Sequence, residues 1–159
     1  MSHIRNRTIE GLKPGDVFSV TRTFTERDML AFAEITRDYN PVHLDARFAR
    51  AKRFDARICH GLLAAGMITE IGGQIGWLAT GMNFKFKKPV YFDDTVTCRF
   101  TITEVDDRGR ARADAIYKNQ NGITVIEAFI TGILPNRQER KILAQMLAEG
   151  DPTHGAGEQ

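Results

Sequence analysis

Cysteine is scarce in this chain. Its two copies, Cys59 and Cys98, sit in apolar contexts without C-x-x-C spacing and without a second His/Cys cluster. This argues against a disulfide framework or a zinc site and predicts buried thiols in a reducing compartment, hence a cytoplasmic protein. Long apolar runs are missing too. Nothing approaches the roughly 20 residues of a membrane span without a charge or a cluster of glycines, and the opening MSHIRNRTIE has no apolar stretch to act as a signal peptide. Charge of one sign never accumulates: 22 basic residues face 20 acidic ones, a net +2, so neither nucleic acid nor a membrane surface is implied as a partner. No internal repeat is visible. With 42% apolar content over 159 residues, the expectation is one globular domain over residues 1–150 and a disordered tail at 151–159.

The periodicity of the chain changes midway. Residues 17–24 (VFSVTRTF) are rich in β-branched and aromatic types and predict a strand. Thr25 with Asp28 resembles a capping box, and Met29, Phe32 and Ile35 share one face, predicting a helix over 25–36. It must end before the turn at Tyr39-Asn40-Pro41, because a residue ahead of proline is pushed out of the α region. Asp45 caps a second short helix, 46–52, with Phe48 and Ala49 inward. Residues 61–77 (GLLAAGMITEIGGQIGW) are apolar nearly all round and predict one long buried helix, whose glycines imply close approach of another backbone. From Met82 the period becomes two. Met82, Phe84 and Phe86 alternate with polar residues, as do Val96, Cys98, Phe100 and Ile102; Ala111 to Lys118 and Ile123 to Leu134 complete four antiparallel strands, and 137–149 predicts a terminal helix. The architecture expected is α+β, an antiparallel sheet curled around one central helix.

One stretch, 36–61, carries the chemistry. It holds Asp38-Tyr39-Asn40-Pro41-Val42-His43 and, later, Cys59-His60-Gly61 at the mouth of the predicted central helix. These residues, with Phe84-x-Phe-x-x-Pro89-Val90 and Asp94-Thr95-Val96 downstream, resemble the MaoC-like, (R)-specific enoyl-CoA hydratase family of hot-dog-fold enzymes, over roughly residues 17–134. Two positions depart from that pattern: Arg37 and Asp93 stand where the family usually has glycine. The resemblance implies reversible hydration of trans-2-enoyl thioesters, carried by coenzyme A or an acyl carrier protein, to (R)-3-hydroxyacyl thioesters. It implies a homodimer or higher homo-oligomer, and coenzyme A only as part of the substrate; the chemistry requires no metal or redox cofactor.

Such a reaction needs a water deprotonated as it attacks the β-carbon, a proton for the α-carbon, and stabilised enolate charge. His43 can take and return a proton. The resemblance pairs it with Asp38 on one water and gives the Gly61 N–H to the thioester oxygen. Asn40 and Pro41 read as loop-shaping, since Asp and Asn ahead of proline are ordinary turn formers. Gly61 could equally be a plain helix start, and His60 reads as a structural residue beside the cap. Glu70 keeps two alternatives open. It could serve a hot-dog acyl thioesterase, although Glu70 and Gln74 four residues apart also fit a polar or dimer-facing stripe. A non-catalytic acyl-thioester binding module is the third reading, and an Asp38/His43 pair pointing apart would favour it. Met29, Phe32 and Phe48 are candidates for setting pocket depth.

Overall fold

The computed structural model describes residues 3–150, so the tail expected at 151–159 lies outside the described residues. Twelve elements follow in the order α1 (His3–Glu10), β1 (Val17–Thr23), α2 (Glu26–Thr36), α3 (Pro41–Leu44), α4 (Ala46–Ala51), α5 (Gly61–Ala65), α6 (Met67–Ile75), β2 (Leu78–Phe86), β3 (Thr95–Val105), β4 (Arg110–Lys118), β5 (Thr124–Ile133) and α7 (Arg137–Ala148). The strands form one antiparallel sheet in the order β1-β3-β4-β5-β2. Strict alternation along β4 puts Ala111, Ala113, Ala115 and Tyr117 on the buried face of the middle strand. Three of those four are alanines, which leaves room for a helix to lie close to the sheet. The helical pair α5–α6 fills it, burying Ala64, Ala65, Met67, Ile68, Ile71 and Ile75 in the same cluster as Val96, Phe100, Ile102 and Ile130.

Local signals explain most of the elements. Thr25 caps α2 in a complete capping box with Asp28, and Asp45 accepts from the Arg47 N–H to start α4. The expected turn at Asn40-Pro41 is in fact a helical turn, α3, with the Asn40 side chain accepting from the Val42 N–H and Pro41 at the first position.

Three expectations are corrected. The single central helix is two, interrupted at Gly66, where a side chain would meet the Leu62 and Leu63 carbonyl oxygens at 3.2 Å. Of the glycines expected to admit another backbone, Gly73 has nothing within 4 Å and Gly72 meets only the Trp77 side chain; Gly76 ends the helix in the left-handed region. Phe48 is exposed rather than inward, because Ala49 alone of that pair faces the core.

Helix α1 has no strong sequence signature. It docks through Arg5, buried in the structure, which donates from Nε to the Gln74 carbonyl at 2.6 Å and from Nη2 to that of Gly73 at 3.4 Å. These carbonyls close the C-terminal end of α6, where a cation is favoured.

The alternation of Met82, Phe84 and Phe86 does not become alternating burial. Met82 and Phe86 pair with buried Ile130 and Ile126 and so share the core face, yet they are 46% and 54% exposed. β2 is an edge strand, with a neighbour on one side only.

Arg37 (φ 59°) and Asp93 (φ 67°), the two departures from the resembled pattern, both occupy the left-handed region. A side chain there costs about 1–2 kcal/mol, against about 0.5–1 kcal/mol of extra chain entropy lost by glycine. Arg37→Gly should therefore raise stability by about 0.5–1 kcal/mol, and Arg37→Val should lower it; urea midpoints of the three proteins check the order.

Candidate active site

The sequence around Asp38 folds as a chain of side-chain-to-backbone bonds. Arg37 turns the backbone out of α2, Asp38 Oδ1 accepts from the Asn40 N–H at 3.2 Å, and Asn40 Oδ1 caps α3 by accepting from Val42 at 3.2 Å. One turn of helix then carries His43 inward, where it is buried. The segment that follows α4 returns alongside: the Cys59 N–H donates to the Val90 carbonyl at 2.8 Å, and Ile58 bridges to Tyr91. This return places the Ile58 carbonyl 2.8 Å from Nδ1 of His43. A carbonyl only accepts, so the Nδ1 carries the proton and Nε2 keeps its lone pair.

That lone pair faces Asp38. Nε2 of His43 lies 4.0 Å from Asp38 Oδ2, and Nε2 of His60 lies 3.8 Å from the same oxygen. All three residues and Gly61 line a cavity of about 410 Å³, whose walls are mainly Phe54, Ile58, Leu62, Phe86, Val90 and Ile126. Lys87 and Lys88 also line it. Gly61 is tightly packed: a Cβ there would come within 2.7 Å of the Phe86 ring. As the first residue of α5, its N–H has no partner within the helix.

The fold brings together the three site residues expected from the sequence, Asp38, His43 and Gly61, and adds His60, which had read as a structural residue beside the cap. Asn40 and Pro41 shape the loop beneath them. Of the side chains expected to set pocket depth, none lines this cavity: Met29 is core, Phe48 is exposed, and Phe32 lies against the His60 ring and a neighbouring groove. Phe54, Phe86 and the Ile58 carbonyl take that place. The strand pattern ending in Phe86 carried a signal; the carbonyl had none. Glu70 is elsewhere, paired with Arg22 at 2.7 Å in the second groove. Asp38, His43 and His60 could be read as a metal cluster, since one donor atom from each falls within 4.8 Å of the others. However, Nε2 of His60 lies 2.9 Å from the Asp38 carbonyl oxygen, so that nitrogen carries a proton and the ring's lone pair sits on Nδ1.

Burial sets the electrostatics. It holds the His43 pKa below the ordinary 6.5, outweighing the Ile58 hydrogen bond and the Asp38 charge, which act in the opposite sense. The same effect pushes the Cys59 and Cys98 thiols up to about 12, so neither is a nucleophile. For His43 the unfolded chain binds the proton more readily than the folded one. Its contribution to stability is therefore intact above about pH 6.5 and is lost progressively as pH falls from there through the lower folded value. His43→Gln should flatten that part of the acid limb of a urea-stability profile between about pH 7 and 5.

The chain is similar in sequence and fold to known proteins. The family model described as "MaoC like domain" matches residues 12–122. An (R)-specific enoyl-CoA hydratase from Rhodospirillum rubrum is 33% identical over 132 residues, covering 80% of this chain and 92% of that protein. A mitochondrial 3-hydroxyacyl-[acyl-carrier-protein] dehydratase from Arabidopsis thaliana is 32% identical over 141 residues, covering 85% and 84%. Among solved structures, the (R)-hydratase of A. caviae involved in PHA biosynthesis superposes with a TM-score of 0.74 at 29% identity, over 79% of this chain and 99% of that one. The interrupted helix within a five-stranded antiparallel sheet is thus a hot-dog fold, and the chain belongs to the MaoC-like domain family.

Proposed function

We propose that this protein is a hydro-lyase that adds water reversibly to trans-2-enoyl thioesters, giving (R)-3-hydroxyacyl thioesters of coenzyme A or an acyl carrier protein. The observation that carries this reading is the tautomer of His43: the Ile58 carbonyl holds its proton on Nδ1 and leaves Nε2 free, 4.0 Å from the Asp38 carboxylate. That gap is too long for a direct bond and suits a water held by both groups.

In the hydration direction His43 Nε2 takes one proton from this water while Asp38 accepts a hydrogen bond from the other hydrogen, which stays on the oxygen. The water oxygen bonds to the β-carbon, and electron density moves onto the thioester oxygen, to which the Gly61 N–H donates. The proton on His43 passes to the α-carbon, which restores the neutral imidazole and balances the reaction. No step needs a metal or a redox cofactor.

Two observations disfavour the alternatives. Glu70, which a thioesterase would use, is ion-paired to Arg22 and does not line the cavity. A binding module without turnover would leave Asp38 and His43 pointing apart, whereas both face one space. No helix among the described residues is long and apolar enough to cross a membrane; with both thiols buried and free, we place the protein in the cytoplasm.

We also propose a homodimer. β2 leaves one edge of the sheet unpaired and exposes Leu78, Met82 and Phe86 along it. An apolar edge strand of nine residues is an invitation to pair, and Phe86 is also a wall of the cavity. A second copy paired along β2 would cover both. Sedimentation of the wild type should give twice the 17.9 kDa chain mass, and Met82→Lys should shift it toward the monomer.

The catalytic reading is tested by mixing crotonyl-CoA with the protein and following both conjugated-thioester absorbance and free thiol. Absorbance should fall without thiol release, and dialysis against a chelator should leave the rate unchanged. Asp38→Asn and His43→Gln should each lower kcat by about 10²- to 10⁴-fold while the fold persists. Thiol release would move the reading to a thioesterase.

A further inference from the structure

The cavity holds a second imidazole to which hydration gives no task. His60 is 1% exposed and stands at the N-cap of α5, yet its side chain makes no capping bond. Asn40 and Asp45 show how neighbouring helices in the same segment are capped, through short side-chain oxygens. A histidine is not needed for that purpose. Its Nε2–H donates instead to the Asp38 carbonyl oxygen at 2.9 Å, across 22 positions of sequence. Its ring lies on that of His43, with centroids 3.8 Å apart and planes 30° apart. The remaining nitrogen, Nδ1, is buried without a hydrogen-bond partner among the described residues. A buried polar atom left unpaired is unfavourable, and a purely apolar ring would avoid it.

We infer that His60 is a positioning residue for Asp38 and His43: its Nε2–H clamps the Asp38 backbone, and its ring face sets the tilt of the His43 imidazole. The inference rests on the hydration reading only for what the pair does; the clamp itself is geometric. Both functions are needed for distinct reasons. The Asp38 side chain is 49% exposed and tethered through Oδ1 to the Asn40 N–H of its own loop, so the course of the backbone sets its direction. His43 has its Nδ1 pinned by one carbonyl, which restrains one axis and leaves the ring free to tilt about it. The stacked neighbour removes that freedom.

Two variants separate clamp from stack. His60→Gln keeps an N–H donor near the Nε2 position and loses the ring, whereas His60→Phe keeps a ring and loses the donor. With crotonyl-CoA, His60→Phe should lower kcat by up to about 100-fold with KM little changed, and His60→Gln should recover part of that loss. Wild-type kcat in His60→Phe overturns the inference, and so does a change confined to KM. A second measurement does not depend on turnover: ¹⁵N-histidine NMR of the wild type should show His60 protonated on Nε2 and His43 on Nδ1. His60 protonated on Nδ1 alone overturns the clamp. An inactive wild type with the expected tautomers would support the clamp and count instead against hydration.

Discussion

One buried hydrogen bond ties the central helix pair to the middle of the sheet. Where α5 breaks at Gly66, the Ala65 carbonyl accepts from the Tyr117 hydroxyl at 2.7 Å, inside the core. Tyr117 stands on β4, the middle strand, and is wholly buried. Burial raises its pKa, so the phenol stays a donor at any ordinary pH. Leaving that carbonyl unpaired would cost about 1–3 kcal/mol. The bond holds the last residue of α5 against the middle strand, and Gly61 and His60 stand at the other end of the same short helix.

The site itself is held by backbone carbonyls more than by side-chain pairs. The Ile58 carbonyl orients His43 and the Asp38 carbonyl engages His60. Burial depresses the pKa of His43 even though Asp38 raises it. Such a base is weaker than free imidazole but more fully deprotonated at neutral pH, which keeps it ready to take a proton. Were the carboxylate in direct contact, its charge would hold the proton on His43 and leave less capacity to take one from water. The 4.0 Å separation keeps the two groups cooperative without neutralising either.

How much of this was legible in the sequence follows from how local each signal is. The Thr25–Asp28 box, the Asp45 cap and the alternation along β3 act over a few residues and read correctly. So did the convergence of Asp38, His43 and Gly61, because a recognisable spacing stood for the fold. The carbonyl that sets the His43 tautomer left no trace, since every residue has one. Phe86 ended a readable strand pattern, but its meeting with Phe54 was not legible: the two are 32 positions apart in sequence, and only the return of 57–60 beside 90–91 places them around one space. The exposure of Met82 and Phe86 was hidden for another reason. Alternation reports which face a residue shares, and says nothing about whether a helix reaches far enough to cover it.

Both left-handed departures from the family pattern precede a carboxylate that organises the site. Arg37 stands before Asp38. Asp93 stands before Asp94, whose Oδ2 accepts from the Tyr91 N–H at 2.8 Å and whose Oδ1 accepts from Gln120 at 2.7 Å, so anchoring the loop that carries Val90 and Tyr91 past the cavity. A residue forced to positive φ reverses the chain abruptly, and the next side chain is aimed by that reversal. Glycine achieves the turn without strain, so the geometry is what both positions require, and the arginine and aspartate are tolerated within it. Asp93 is the milder case, since aspartate enters the left-handed region more readily than most residues. Arg37 has no such ease, which implies that the bonds downstream of it, from Asp38 Oδ1 to Asn40 and from the Asp38 carbonyl to His60, offset its strain.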